Sequence, residues 1–495
     1  MPTQRILADR SHPLFDTKGT RAIEIAAQAT LPSHALMQRA GLAIARLAMA
    51  VAPHARTIWI ACGPGNNGGD GMEAAMHLTR AGKDVVVTWL GDESRAPDDA
   101  RASLQRARGA GVRFMQQPQD EMTMHDLCID ALLGIGGKRP PDAAMQTWID
   151  GMNRSEPQVL AVDMPTGLHA DTGASRAVAP AQAVRAQHTL SLLTLKPSLF
   201  TAQGRDYAGQ VWLDDLGCGI SDAAPVAWLS GPPPTHLRLH ASHKGSYGDV
   251  AVIGGAPGMT GAALLAASAA LHRGAGRVFV ALLDQTKRGS GRTAGMSVDP
   301  SHPEVMFRAV DALDLASATV VCGCGGGEAV AAVLPAILKE APRLLLDADA
   351  LNAVAADAKL QRALAQRSKR GQPTVLTPHP LEAARLLGTQ TNEVQADRLT
   401  AANTLANRFG SVVALKGSGS VIAAPGQQAY INPTGNALLA TGGTGDVLAG
   451  MIGARLASGD DAFTAACGAV FSHGLIADHW PPGTAFTAGL LARAG

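Results

Sequence analysis

Short runs of β-branched and aliphatic residues recur along the whole chain, and most lead through glycine into an alanine-rich stretch with helical spacing. Runs that are short and apolar on both faces suit the strands of a parallel sheet covered by helices on each side. The alternation predicts an α/β architecture with parallel sheets. At 495 residues the chain is too long for one ordinary core, so more than one domain is expected. A net charge of +1 provides no basic field to hold a nucleic acid. No run of about 18 apolar residues predicts a membrane span, and MPTQRILADRSHPLF has no basic-then-apolar leader pattern. The cysteines at 62, 128, 218, 322, 324 and 467 are scattered, as reduced thiols of a cytoplasmic protein would be. Only Cys322 and Cys324 are close, and a C-x-C pair without nearby partners is weak ground for a metal site.

Helical patterns cover 18–29, 33–51, 70–81, 97–109 and 144–153, with strands at 57–62, 84–90, 127–131 and 158–162. Between 217 and 245 the chain turns rich in proline and glycine and loses periodicity, which reads as a connection. Alternation then resumes, with strands at 249–253, 277–281, 319–322, 343–346, 374–376 and 411–415. Helices are expected at 260–273, 327–339, 380–387, 395–408, 444–457 and 461–478. The expected division is a first domain over 1–220, a connection over 221–241 and a second domain over 242–495. No short internal repeat is visible, so two different α/β domains are expected.

GPGNNGGDG, residues 63–71, follows the first strand. A strand, a glycine-rich loop and a helix present backbone N–H groups and a helix N-terminus to an anion. A G-x-G-x-x-G reading fits Gly63, Gly65 and Gly68, but that motif alone is weak and leaves Asn66, Asn67 and Asp70 unexplained. For Asp70, capping the next helix is the competing explanation. CIDALLGIGGKRP (128–140) and AVDMPTGLHADTG (161–173) end two further strands with Asp130 and Asp163. In an open parallel sheet such loops converge beyond the carboxyl ends of the strands. Asn67, Asp130 and Thr166 would then offer hard oxygens, which suit an alkali or alkaline-earth cation better than zinc.

These three segments resemble the YjeF N-terminal family, the NAD(P)H-hydrate epimerases, over about residues 15–220. The resemblance implies a Rossmann-like α/β/α sandwich. It implies that Asn66, Asn67, Gly68, Gly69 and Asp70 contact a hydrated nicotinamide nucleotide, as do Gly134, Ile135, Gly136, Gly137, Lys138, Arg139 and Pro140. Asp163 would contact the hydrated ring and act as acid or base, and Asn67, Asp130 and Thr166 would bind potassium. Many relatives carry serine where Thr166 stands, and the hydroxyl survives that exchange.

In the second half, TGGTGD (441–446) opens a helical pattern, so its N–H groups and helix dipole would face developing negative charge. Asp446, at that helix start, could take a proton from a substrate hydroxyl; its alternative role is an N-cap. GGTGD is similar to the anion-hole signature of the ribokinase-like superfamily. Vitamin kinases of that superfamily carry T-P-N-x-x-E, whereas TPHPLE (377–382) has His379 in place of asparagine and keeps Glu382. With HKGSYG (243–248) and KGSGS (416–420), the second half resembles the YjeF C-terminal family, the nucleotide-dependent NAD(P)H-hydrate dehydratases, over about 235–490.

That resemblance implies a ribokinase-like α/β domain in which Lys416, Gly417, Ser418, Gly419, Ser420 and Gly445 hold ADP or ATP with magnesium. His379, Asp446 and Gly326 would face the hydrated nicotinamide, Asp446 as the catalytic base. CGCGGG (322–327) departs from the GPGLG-like turn of the family but keeps glycines at 323 and 325–327. Asp347 and Asp349, after the strand in LLLDADALN, are expected to orient loops or stand near magnesium. Together the halves predict a bifunctional enzyme that epimerises hydrated NADH and NADPH and dehydrates the S form. The rival is a ribokinase-like small-molecule kinase with a non-catalytic nucleotide-binding module in front; His379 argues against it. Alanine-rich helix surfaces favour a homo-oligomer.

Overall fold

A computed structural model of the chain describes residues 3–117, 122–137, 139–154, 156–175, 183–219, 223–234, 239–283 and 297–494. Contacts divide it into two units, 1–7 with 12–228 and 8–11 with 229–495. In the first unit, TIWIAC (Thr57–Cys62) is buried from Ile58 onward. It pairs in parallel with Asp84–Trp89 on one side and Leu127–Ala131 on the other, with Trp59 opposite both Val86 and Cys128. A strand with neighbours on both edges and helices on both faces has no polar side to show, which is why its sequence is continuously apolar. Arg113–Met115 extends the sheet beyond Asp84–Trp89. Gln158–Val162, His188–Leu192 and Gln210–Asp214 extend it, also in parallel, on the other side. Ranked by chain position, the seven strands stand in the order 3-2-1-4-5-6-7, the doubly wound arrangement. Gln4–Arg5 adds an antiparallel edge.

The leading helices are Thr17–Gln28 and Ala35–Val51. The second lies so close to helix Asn66–Arg80 that a Cβ on Gly41 would fall 2.4 Å from Cβ of Glu73. Helix Asn66–Arg80 starts four residues earlier than the periodicity predicts, inside the glycine-rich stretch. Its glycines serve packing. A Cβ on Gly68 would lie 2.0 Å from the Gly63 carbonyl oxygen, and one on Gly71 would lie 2.6 Å from Cβ of Ala131. The strands His188–Leu192 and Gln210–Asp214 escape a sequence reading because their polar residues break the apolar run.

In the second unit, Asp249–Gly254 is central, paired in parallel with Arg277–Leu282 and Thr319–Cys322. Met306–Phe307 lies beyond the first, and Arg343–Leu346, Thr374–Leu376 and Val412–Leu415 follow the second, all in parallel. These strands repeat the order 3-2-1-4-5-6-7. Val421–Ala423 and Ala429–Ile431 close this run as antiparallel strands, too short for the periodicity to announce. Helices Ala348–Ala356 and Ala358–Lys369 also go unannounced. The stretch expected to be an irregular connection holds a strand, Ala227–Leu229. Alanine and glycine let the helices close in: a Cβ on Gly450 would lie 2.0 Å from the Ala266 carbonyl oxygen. Among the described residues no helix is long and apolar enough to cross a membrane.

Candidate active sites

In the first unit the strand order reverses between Thr57–Cys62 and Leu127–Ala131. Beyond their carboxyl ends lies a cavity of about 540 Å³. Asn66, Asn67, Asp70, Gly134, Ile135, Gly136, Gly137 and Asp163 all line it, so the structure brings together most of the residues the sequence nominates. Gly68 and Gly69 are buried behind the wall, where a Cβ on Gly69 would meet the Met37 sulfur at 2.7 Å. Arg139 and Pro140 are exposed and do not line the cavity, and Lys138 lies outside the described residues.

Asp163 adopts a left-handed backbone, φ 68°. Its N–H donates to the Leu190 carbonyl at 2.7 Å, and its Oδ2 accepts from the Ile135 N–H at 3.1 Å. The same oxygen and Asn67 Oδ1 flank Gly134, at 2.9 and 3.0 Å from where a Cβ would stand. Any side chain at 134 would therefore collide with both polar groups. Burial, then the charge of Asp163, pushes the Asp70 carboxyl well up from its ordinary range. The same two causes raise Glu24, which also lines the cavity.

Asp130 and Thr166 are fully buried behind this wall. Asp130 Oδ1 accepts from the Thr166 hydroxyl at 2.7 Å, and Oδ2 from the Thr166 N–H at 2.8 Å. Burial lifts Asp130 to about 6 against those hydrogen bonds. Asn67 Nδ2 is buried with no protein partner, an uncommon state for an amide. Carboxylate, hydroxyl and amide oxygens form a hard donor set that suits an alkali cation.

The sequence reading missed Lys196. It is fully buried, and its Nζ donates to Asp163 Oδ1, to the Leu192 carbonyl at 2.8 Å and to Ser191 Oγ at 3.2 Å. LTLKPS has no periodicity or known spacing that would single the lysine out.

In the second unit the polar groups gather at the ends of the later strands. Cys324, Asp347 and Asp446 present ligand atoms within 4.8 Å of one another. Lys416 Nζ donates to Asp347 Oδ1 at 2.6 Å, and the Thr377 hydroxyl to the same oxygen at 2.8 Å. Asp446 stands in the first turn of helix Thr444–Ala457, where backbone N–H groups have no helical partners. Gly445 precedes it, with Lys416 Nζ 3.4 Å from the position of a Cβ. Burial, then the neighbouring Asp347, raises Asp446 to about 6, against a hydrogen bond from Cys324 and the charge of Lys416. Lys416 is itself raised: burial lowers it, but Asp347 and Glu382 outweigh that.

His379 caps helix Pro380–Leu387. Its Nδ1 accepts from the Leu381 N–H at 3.1 Å, and its Nε2 lies 3.2 Å from Glu382 Oε1. An accepting Nδ1 places the ring proton on Nε2, toward Glu382. Burial, then Lys416, lowers His379, which favours the neutral ring. Asp349 Oδ2 holds the Gly327 N–H at 2.8 Å, the loop-orienting role expected of it. Gly326 sits in that turn, its N–H donating to the Gly323 carbonyl at 3.0 Å. In the KGSGS loop, Gly417 has φ 134° and Arg398 Nη2 donates to the Lys416 carbonyl at 3.2 Å. Gly417 and Ser418 are exposed, Gly419 is buried, and Ser420 Oγ donates to the Gly417 carbonyl at 3.2 Å.

A family model described as NAD(P)H-hydrate dehydratase matches residues 250–493, and one described as YjeF-related protein N-terminus matches 33–198. The bifunctional NAD(P)H-hydrate repair enzyme Nnr of Coxiella burnetii is 34% identical over 481 residues, covering 94% of each chain. That of Escherichia coli is 36% identical over 467 residues, covering 90% of this chain and 85% of its own. The ADP-dependent (S)-NAD(P)H-hydrate dehydratase of Neisseria meningitidis is 43% identical over 270 residues, covering 53% of this chain and 88% of its own.

Proposed function

The chain belongs to the family of bifunctional NAD(P)H-hydrate repair enzymes, and we propose that it carries both activities, one in each unit. The first unit interconverts the R and S forms of hydrated NADH and NADPH. The second dehydrates the S form at the expense of ADP and returns NAD(P)H. The observation that carries this reading is the meeting of Asn67, Gly134 and Asp163 at one cavity. A non-catalytic module would have no need to retain those groups together.

In the first unit, Asn66, Asn67, Asp70 and the 134–137 backbone bind the nucleotide, and Asp163 accepts or returns the proton at the hydrated ring. Asn67, Asp130 and Thr166 hold potassium, which would supply fixed positive charge beside the ligand. In the second unit, Lys416, Gly417, Ser418, Gly419, Ser420 and Gly445 hold ADP, with magnesium on its phosphates. His379 and the Gly326 turn face the hydrated nicotinamide. Asp446 takes the proton of the 6-hydroxyl as that oxygen attacks the terminal phosphoryl group of ADP and AMP departs; inorganic phosphate then leaves C6 as a proton is lost from C5, which restores the ring double bond of NAD(P)H. An elevated carboxylate suits a base working near neutrality. The N–H groups of the GGTGD helix start stabilise the charge that develops, each well-placed donor contributing about 3 kcal/mol. Fusion has a chemical logic, because a chiral dehydratase pocket leaves one epimer behind. The six cysteines are free, which fits a cytoplasmic location, and alanine-rich surfaces suit a homo-oligomer.

The test follows absorbance at 340 nm while the protein meets mixed hydrate epimers with magnesium, potassium and ADP, then ATP. Recovery of NADH beyond the S fraction, under conditions where spontaneous epimerisation is slow, supports both activities. Recovery that stops at the S fraction leaves only the dehydratase. No recovery with either nucleotide returns the kinase reading.

A further inference from the structure

Lys196 has no place in the chemistry above, yet it is a fully buried lysine in contact with Asp163, the carboxylate proposed to act at the hydrated ring. Burying a cation is unfavourable unless it is paired and hydrogen-bonded. Every N–H of this ammonium has an acceptor: a carboxylate oxygen of Asp163, the Leu192 carbonyl and Ser191 Oγ. Ser191 Oγ donates its own proton to the Thr194 carbonyl at 2.7 Å, so it can only accept from the lysine. Three acceptors surround the one nitrogen, the number that an ammonium group can satisfy.

The lysine acts on one oxygen only. Oδ1 of Asp163 points back to Lys196, while Oδ2 faces Ile135 and the Gly134 backbone at the cavity. The carboxylate is thus clamped from behind with its second oxygen presented to the ligand. Its left-handed backbone, and that of Leu193 at φ 63°, lie at the ends of neighbouring parallel strands. A side chain spanning both turns holds two strained positions in register.

We propose that Lys196 is a positioning residue of the epimerase site, which holds Asp163 as a fixed carboxylate aimed at the hydrated ring and acts only through it. The inference rests on the epimerase reading of the first unit. The cavity then holds carboxyl groups of two kinds: Asp163 with a buried counter-ion, and Asp70 and Glu24, which its charge helps push toward their neutral forms. All three line the same cavity.

The experiment uses the full chain and pure R hydrate of NADH with potassium and no ADP, so that epimerisation alone is read, by chromatographic separation of R and S. Lys196→Met and Asp163→Asn should each lower kcat about a hundredfold, with KM changing less than about threefold. The double variant should be no slower than either single, because groups acting as one unit do not lose rate twice. Lys196→Arg, which keeps a cation, should recover part of the rate. Dehydration of pure S hydrate with ADP stays unchanged throughout and confirms that the second unit is intact. Losses that multiply in the double variant, or a raised KM with kcat intact, would overturn the inference. If K196M does not fold, Ser191→Ala removes one acceptor and should lower kcat about threefold to tenfold in the same non-additive way with D163N; an unchanged rate would overturn it equally. An unsubstituted chain that does not epimerise R hydrate sinks the epimerase reading and this inference together.

Discussion

The two units share a strand order and use it differently. In the first, the reversal between Thr57–Cys62 and Leu127–Ala131 opens into the cavity where Asn67, Gly134 and Asp163 meet. In the second, the equivalent reversal lies between Asp249–Gly254 and Thr319–Cys322, and backbone hydrogen bonds tie the loops that follow these two strands to one another. The Gly255 N–H donates to the Cys324 carbonyl at 3.0 Å, and the Ala256 N–H to the Gly325 carbonyl at 2.7 Å. The polar cluster of this unit reaches from that turn along the sheet: Cys324 meets Asp347, Thr377 and Lys416, after the next strands, and Asp446, at the start of a helix that follows the sheet. The strand order offers a place where a site can form, and the loops decide which groups gather there.

The sharpest way to break this comparison is to remove one site and ask whether the other notices. Asp446→Asn should reduce dehydration of pure S hydrate about 10²- to 10⁴-fold, since an amide cannot take the hydroxyl proton. Epimerisation of R hydrate, read without ADP, should be untouched. A loss of both activities would mean that the two sites are not independent, whatever their sheets look like.

How far the sequence carries such a comparison depends on what each residue is for. The central strands were legible because burial on both faces leaves no polar position, and TIWIAC or RLLL says so directly. Asn67, Asp130, Asp163 and Asp446 could be nominated because polar residues within or beside glycine-rich segments invite a functional reading, and the structure brings Asn67 and Asp163 to one cavity. The start of helix Asn66–Arg80 was not legible, because its glycines look like a loop and serve as contact points, visible only once Met37, Gly63 and Ala131 are in place. Lys196 was not legible either. Its meaning comes from two neighbouring strand ends that are far apart in sequence, and no local pattern records that.

A second prediction separates how the sites are pinned. Behind Asp163 stands an ion pair, whereas behind the TGGTGD turn stands a neutral imidazole: His473 Nε2 donates to the Thr444 carbonyl at 2.9 Å. Burial lowers His473 to about 4, against an ordinary value near 6.5. The folded state thus disfavours the proton that the unfolded chain accepts. The stability this provides is complete above pH 6.5 and disappears as pH falls toward 4, a loss of about 3 kcal/mol across that window. Calorimetry between pH 7 and 4.5 should show the transition that ADP stabilises falling faster than the other, and His473→Gln should flatten that slope. Equal slopes would remove the contrast.

The smallest effect tests the loop that closes the second switch point. Asp446 is raised to about 6 by burial and Asp347, while the Cys324 thiol donates to it and holds it down. The base role proposed for Asp446 requires an ionised carboxylate, so kcat/KM for S hydrate with ADP should fall tenfold for each pH unit below about 6. Cys324→Ala removes the donor that favours the ionised form. The acidic limb should then move to higher pH, by less than about one unit, since one hydrogen bond is lost and burial is unchanged. The thiol stands in the turn whose carbonyls accept from Gly255 and Ala256 at the reversal. A limb that moves shows that this turn tunes Asp446 as well as tying the loops together. A limb that stays would confine Cys324 to packing and leave Asp347 and Lys416 as the groups that set Asp446.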